Sequence, residues 1–146
     1  MEIRQADISD LTSLSILFDE YRQFYRQPSD VKKASLFLRD RLSQKDSTIF
    51  LAVHDASLAG FTQLYPSFSS VAMQRIYILN DLFITESARQ QGVASALLRQ
   101  STEFALARGA LRLTLATEIT NKAAQALYEK FGWQKNETFL YYSKNL

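Results

Sequence analysis

The apolar residues of this chain follow two different rhythms, and the change between them falls near residue 48. Before it, Leu11, Leu14, Ile16, Leu17, Phe18, Tyr21 and Phe24 recur at mostly three- and four-residue steps, which predicts a long amphipathic helix. Asp7 is placed to cap that helix, with Asp10 in its first turn, and a short strand at Glu2-Ile3-Arg4 precedes it. Pro28 ends the segment. Ser29 or Asp30 then caps a second helix, whose buried face is Val31, Ala34, Leu36, Phe37, Leu38 and Leu42.

From Thr48 the pattern reads as strands. Ile49 to Val53 and Leu58 to Tyr65 flank a turn at Asp55-Ala56-Ser57 and predict a hairpin. Pro66 to Ser70 reads as a loop. Arg75 to Ile84 is the strongest strand, apolar enough to be covered on both faces, yet it carries Asn80-Asp81 near its end. A helix follows to about Arg108, with Val93, Ala94, Leu97, Leu98, Ser101, Phe104 and Ala105 inward and Gly109 as its stop. Leu111 to Ala116 alternates as a strand. Thr120 caps a last helix from Asn121 to Lys130, closed by Gly132, and Trp133 and Phe139 to Ser143 read as two final strands. The expected order is β-α-α-β-β-β-α-β-α-β-β in one domain spanning 1–146, an α/β (α+β) fold with helices covering a mixed sheet.

Composition narrows the chemistry. The chain has 146 residues, no Cys and one His, His54. A thiol nucleophile, a zinc ribbon and an iron–sulfur cluster are excluded, and no metal site is expected. Against a formal charge of +2, nucleic acid is not an expected partner. No stretch approaches the ~20 apolar residues of a membrane span, and the first residues lack a signal-peptide pattern, so a cytoplasmic protein without a membrane partner is expected.

Candidate chemistry gathers where the strongest strand runs into the next helix, at Arg89-Gln90-Gln91-Gly92-Val93-Ala94-Ser95. N–H groups of a first helical turn point outward and carry the positive end of the helix dipole. Gly92 has no Cβ to block an approaching phosphate, and Arg89 adds a charged donor. One glycine leaves a plain helix start equally open. No Gly-Lys-Ser/Thr follows, and the three glycines of a dinucleotide fingerprint are missing.

These residues resemble the pyrophosphate signature of the GNAT superfamily of acyl-CoA-dependent N-acetyltransferases, Arg/Gln-x-x-Gly-x-Gly/Ala. A second segment, Asn121 to Tyr128 with Phe131-Gly132-Trp133, is similar to the family's Asn-to-Leu-Tyr-x-x-x-Gly-Phe/Trp pattern, and the order of elements agrees along the whole chain. Strand residues Leu79-Asn80-Asp81-Leu82-Phe83-Ile84 look most like the branch that acetylates diamines and polyamines, except that Asn80 stands where that branch has Glu.

The resemblance implies acetyl-CoA as co-substrate and acetyl transfer to a primary amine, such as a polyamine, diamine or amino-acid-like compound. Acetylation of protein lysines or N-termini, or a non-catalytic acyl-CoA-binding module, are the alternatives. Leu82, Phe83 and Ile84 would offer backbone groups to the pantetheine arm, with an N–H near Leu82 or Phe83 polarising the thioester carbonyl. Arg89 and Gln90 through Ser95 would hold the pyrophosphate, and Asn121 and Ala124 would contact the far side of the arm. Tyr128 would face the sulfur as general acid, a phenol being protonated at neutral pH. Asp81 is the candidate base, with Glu118 or a water chain as alternatives, because neighbouring strand residues point to opposite faces and Asp81 need not replace the missing Glu. Tyr21 and Tyr25, near Asp19, Glu20 and Phe24, would line the amine pocket with Asn80. The segment Tyr65 to Ser70 is a candidate cover, and His54 reads as a turn residue. Homodimers are common in the family, so a homodimer is an expectation, with Phe139, Tyr141 and Tyr142 as interface or core.

Overall fold

The computed structural model describes residues 1–146. Asp7 opens the first helical turn, as its position predicts. Its carboxylate accepts from the Ser9 N–H, and the Asp10 carboxylate accepts from the Asp7 N–H, a reciprocal capping box. Helix α1 (Leu11–Phe24) follows. Of the two candidate caps for α2 (Val31–Gln44), Asp30 is the one used, accepting from the Lys33 N–H. Helix α3 spans Val93–Ala107, and α4 spans Lys122–Lys130. The cap of α4 is Asn121, which accepts from the Ala124 N–H, and not Thr120; the amide side chain reaches the third N–H of the turn from one position later.

Five strands form one sheet in sequence order: β1 (Glu2–Gln5), β2 (Thr48–His54), β3 (Ser57–Ser69), β4 (Gln74–Ile84) and β5 (Leu113–Thr114). The first three pairings are antiparallel, and β4 to β5 is parallel. Asp55 and Ala56, both at positive φ, make the two-residue turn between β2 and β3.

Sheet faces decide where the core forms. Leu14, Leu17 and Phe18 of α1 and Ala34 and Leu38 of α2 pack on Ile49, Leu51, Phe61 and Phe83 from one side. Each of these fully buried leucines contributes roughly 1.5–3 kcal/mol. On the other side Phe104 of α3 meets Phe50 and Tyr77 edge-on. Tyr77 and Phe83 lie an even number of residues apart on β4, yet face opposite helices. A bulge explains this. Gln63 pairs with Asp81 and Leu64 with Leu79, so Asn80 has no partner on β3. The extra residue exchanges the faces beyond it and bends the strand. Pairing with β5 covers only Tyr77 and Ile78, just before the bulge, so Leu79 to Ile84 run on outside the β4–β5 ladder.

Three expected elements change. The expected loop Pro66 to Ser70 belongs to β3 as far as Ser69, paired with β4. Because β2 ends opposite Leu64, β3 has only one neighbour at Pro66, and a residue without an N–H is tolerated there. The strand expected over Leu111 to Ala116 shrinks to Leu113–Thr114. The chain divides into two compact units, residues 1–115 and 116–146. In the second, Trp133 and Phe139 to Ser143 do not form the two expected strands. Aromatic β-propensity needs a paired neighbour to act on, and here the Asn136 side chain accepts from the Thr138 and Phe139 N–H groups, turning the backbone instead. Phe139, Leu140, Tyr141 and Tyr142 are exposed.

Candidate active site

The segment between β4 and α3 is shaped by two left-handed residues. Gln90 has φ +61° and Gly92 has φ +80°. Gly92 occupies the N-cap position of α3, where it contributes no side chain, and nothing lies within 4 Å of the point a Cβ would occupy. By contrast the first helical turn, α2 and α4 each begin with an Asp or Asn side chain on their own N–H groups. The first helical bond of α3 runs from Ala96 N–H to Gly92 C=O, so Val93, Ala94 and Ser95 present the N–H groups of the orphan turn. The Val93 side chain is buried, leaving its N–H as its only contribution to such a site. The Gln91 amide donates to Ser87 C=O and closes the loop on itself. Open space over a glycine, uncapped N–H groups and a helix dipole fit a diphosphate.

Arg89 turns away from that turn. Its Nε donates to Ile84 C=O at 3.2 Å, and its guanidinium lies over the rings of Phe24 and Phe83 at 5.5 and 5.8 Å. It thereby ties the end of α1 to the end of β4. Leu82, Phe83 and Ile84 lie on the stretch of β4 outside the β5 ladder, with the Phe83 ring packed toward Tyr21 and Phe24. Gly60 allows the close approach of β3 there, since a Cβ would stand 2.7 Å from Phe83 O.

Asp81 is the centre of a second cluster. It is 6% exposed, and its Oδ1 accepts from the Tyr21 hydroxyl at 2.9 Å and from the Asn80 amide at 3.1 Å. Its Oδ2 accepts from Gln63 Nε2 at 2.9 Å. Its backbone carbonyl accepts from the Thr62 hydroxyl. Three of the side chains singled out in the sequence therefore converge, Tyr21, Asn80 and Asp81. Tyr25 joins through its ring, 5.2 Å from that of Tyr21. Gln63 and Thr62 escaped notice; the signal was two polar residues inside an otherwise apolar strand. The Tyr65 phenol is pushed up to about 12, first by burial and then by the negative charge of Asp81.

Asp19, expected beside the amine pocket, is committed to structure. It accepts from the Ser29 hydroxyl, the Asp30 N–H and the Gln23 amide, and so joins α1 to the start of α2. These donors, Ser29 foremost, hold its carboxyl below the usual range. His54 is the last residue of β2, exposed beside Asp55, in agreement with a turn role. In the unit 116–146, Asn121 and Ala124 are joined by the α4 cap, and Tyr128 lies near the end of α4 with its ring 6.0 Å from Trp133. Glu118 accepts at its backbone carbonyl from the Gln125 amide.

Residues 14–133 match the acetyltransferase (GNAT) family. The chain belongs to that family. It is 47% identical over 146 residues to "Uncharacterized N-acetyltransferase YhfO" of Bacillus subtilis (strain 168), covering 100% of this chain and 98% of that protein. It is 33% identical over 129 residues to a "Probable acetyltransferase" of Haemophilus influenzae, covering 88% of this chain and 84% of the other. The crystal structure of a probable acetyltransferase superposes with a TM-score of 0.95 at 40% identity, over 100% of this chain and 98% of that one. GNAT enzymes take the acetyl group from acetyl-CoA, and the chain is an acetyl-CoA-dependent N-acetyltransferase acting on an amine. None of its helices is long and apolar enough to cross a membrane.

Proposed function

We propose that this GNAT enzyme acetylates a small primary amine, of the polyamine, diamine or amino-acid-like kind, by direct transfer from acetyl-CoA. The observation that carries the reading is the juxtaposition on β4. The same strand bears the Asp81 cluster and, directly after it, the stretch beyond the β5 pairing that leads to the uncapped start of α3. An acyl donor lying along that stretch would bring its thioester toward the carboxylate cluster. Relatives named for small amine acceptors support the class: a "Thialysine N-epsilon-acetyltransferase" of Caenorhabditis elegans at 29% identity over 113 residues, and an "Aminoglycoside N(6')-acetyltransferase type 1" of Serratia marcescens at 28% over 119.

In this reading the loop residues Gln90 and Gln91 and the N–H groups of Gly92 to Ser95 hold the diphosphate. Arg89 adds its charge at the edge of the loop. Asn121 and Ala124 contact the cofactor arm. Backbone groups of Leu82, Phe83 and Ile84 bind the pantetheine amides as an added strand would. One of their N–H groups polarises the thioester carbonyl. Tyr21, Tyr25 and Asn80 wall the acceptor site, and aromatic faces suit a cation. A carboxylate has about four lone-pair sites, and the three neutral donors on Asp81 leave roughly one for the acceptor N–H. Asp81 thus anchors the ammonium and receives its proton, and Tyr128 donates to the leaving thiolate. With no Cys in the chain, no thiol acyl-enzyme forms, and attack takes place in a ternary complex.

The test is acetyl-CoA consumption against a panel of polyamines, diamines, amino acids and lysine-bearing peptides, followed by two-substrate kinetics. Turnover on a small amine with intersecting reciprocal plots is expected. Turnover on peptides alone would replace the acceptor class, and parallel plots with an isolable acetyl-enzyme would overturn direct transfer.

A further inference from the structure

Gln63 is fully buried in β3, opposite Asp81 in the ladder and next to the bulge. Both ends of its amide are engaged. Nε2 donates to Asp81 Oδ2 at 2.9 Å, and Oε1 accepts from the Ser47 hydroxyl at 2.9 Å. The reverse orientation would set the amide oxygen against a carboxylate oxygen, so the amide is fixed with its NH2 toward Asp81. Ser47 lies between α2 and β2 and backs it from the far side. A buried polar group that lost such a partner would carry its full desolvation cost.

The two oxygens of Asp81 therefore have different keepers. Oδ1 is shared by Tyr21 and Asn80, and Asn80 is the exposed residue of the bulge. Oδ2 is held from inside the sheet by Gln63 alone among the side chains. We infer that Gln63 is a positioning residue for acetyl transfer, fixing the rotation of the Asp81 carboxylate at the acceptor site. The inference rests on the proposed role of Asp81 at the amine. The charged and titratable groups around this pair are Tyr21 from α1, Tyr65 from β3, and the Arg41–Asp46 ion pair of α2 and its following loop, which acts on Tyr65. The donors on Asp81 are neutral, so the rotation of the carboxylate is set by hydrogen-bond geometry and not by a fixed positive charge.

The test uses the full-length protein with Gln63→Met, Gln63→Glu and Ser47→Ala, each first shown to be folded by its thermal melt. Gln63→Met keeps the volume and removes both bonds. The KM for the amine should rise about tenfold or more, while the acetyl-CoA dissociation constant stays unchanged. Gln63→Glu places a second carboxyl against Asp81, and two carboxyls so close hold a proton between them. Its acid limb in the kcat/KM profile should move to higher pH, with partial activity regained at high pH. Ser47→Ala should shift the amine KM the same way by less, and being peripheral it keeps the test usable if the buried variants fail to fold. An unchanged amine KM and pH profile in folded variants would overturn the positioning role. A wild-type enzyme that turns over no small amine would instead sink the acceptor assignment, and this inference with it.

Discussion

The Asp81 cluster on β4 and the start of α3 are built on opposite plans. At the Asp81 cluster, the polar side chains are bonded to one another: Tyr21, Gln63 and Asn80 meet the carboxylate, and Ser47 backs the glutamine. At the start of α3, a glycine stands where three other helical starts carry a capping side chain, with empty space above it. Pre-bonded groups set a fixed shape and charge for a small partner. Backbone N–H groups left to a ligand suit a large anion that brings its own acceptors. The difference separates a region that is rigid before binding from one completed by binding.

The largest effect that could break this contrast is Gly92→Asp. It adds bulk at φ +80° and negative charge over the N–H groups, and titration calorimetry should show acetyl-CoA binding abolished while the fold persists. Retained affinity would mean the diphosphate lies elsewhere. Tyr128→Phe comes next, with turnover expected to fall about 10²- to 10⁴-fold at nearly unchanged cofactor affinity. An unchanged rate would remove the phenol from the chemistry. Asp81→Asn probes the pre-bonded side. The new amide faces the NH2 of Gln63, so a loss of about 1–3 kcal/mol in chemical unfolding is expected along with weakened amine binding. A variant as stable as wild type would show that the cluster is not set in advance.

The smallest effect lies away from both regions and sharpens the comparison by isolating the acid response of the scaffold. Asp19 has a folded value below its ordinary one because of Ser29, the Asp30 N–H and lesser contributions. Its stabilisation is therefore complete above about pH 4 and disappears as pH falls through the folded value. Thermal melts of Asp19→Asn should show a flatter acid arm than wild type. An arm of equal slope would assign the acid sensitivity to Asp10, whose carboxyl is held low chiefly by Arg4.

Much of this was legible in the chain because local rules suffice for it. Asp7 and Asp30 cap helices by their own chemistry, and the three-and-four spacing of Leu11 to Phe24 needs no tertiary information. Gly92 was legible for the same reason, being local to one loop. The bulge at Asn80 was not, since a bulge exists only relative to a partner strand. For that reason alternation alone left the facing of Asp81 open, and Gln63, which meets it across the ladder, stayed hidden among apolar residues. Pro66 suggested a loop because its tolerance depends on β2 having already ended. The aromatic run Phe139 to Tyr142 suggested strands, yet its backbone is turned by Asn136, a contact from outside the run.

The most direct measurement is backbone amide NMR of the protein titrated with acetyl-CoA. The N–H resonances of Gly92, Val93, Ala94 and Ser95 should move most, with those of Leu82, Phe83 and Ile84 following, and those of Asp81 and Gln63 little. Large shifts elsewhere, with Gly92 to Ser95 and Leu82 to Ile84 unmoved, would contradict the placement of acetyl-CoA on α3 and β4.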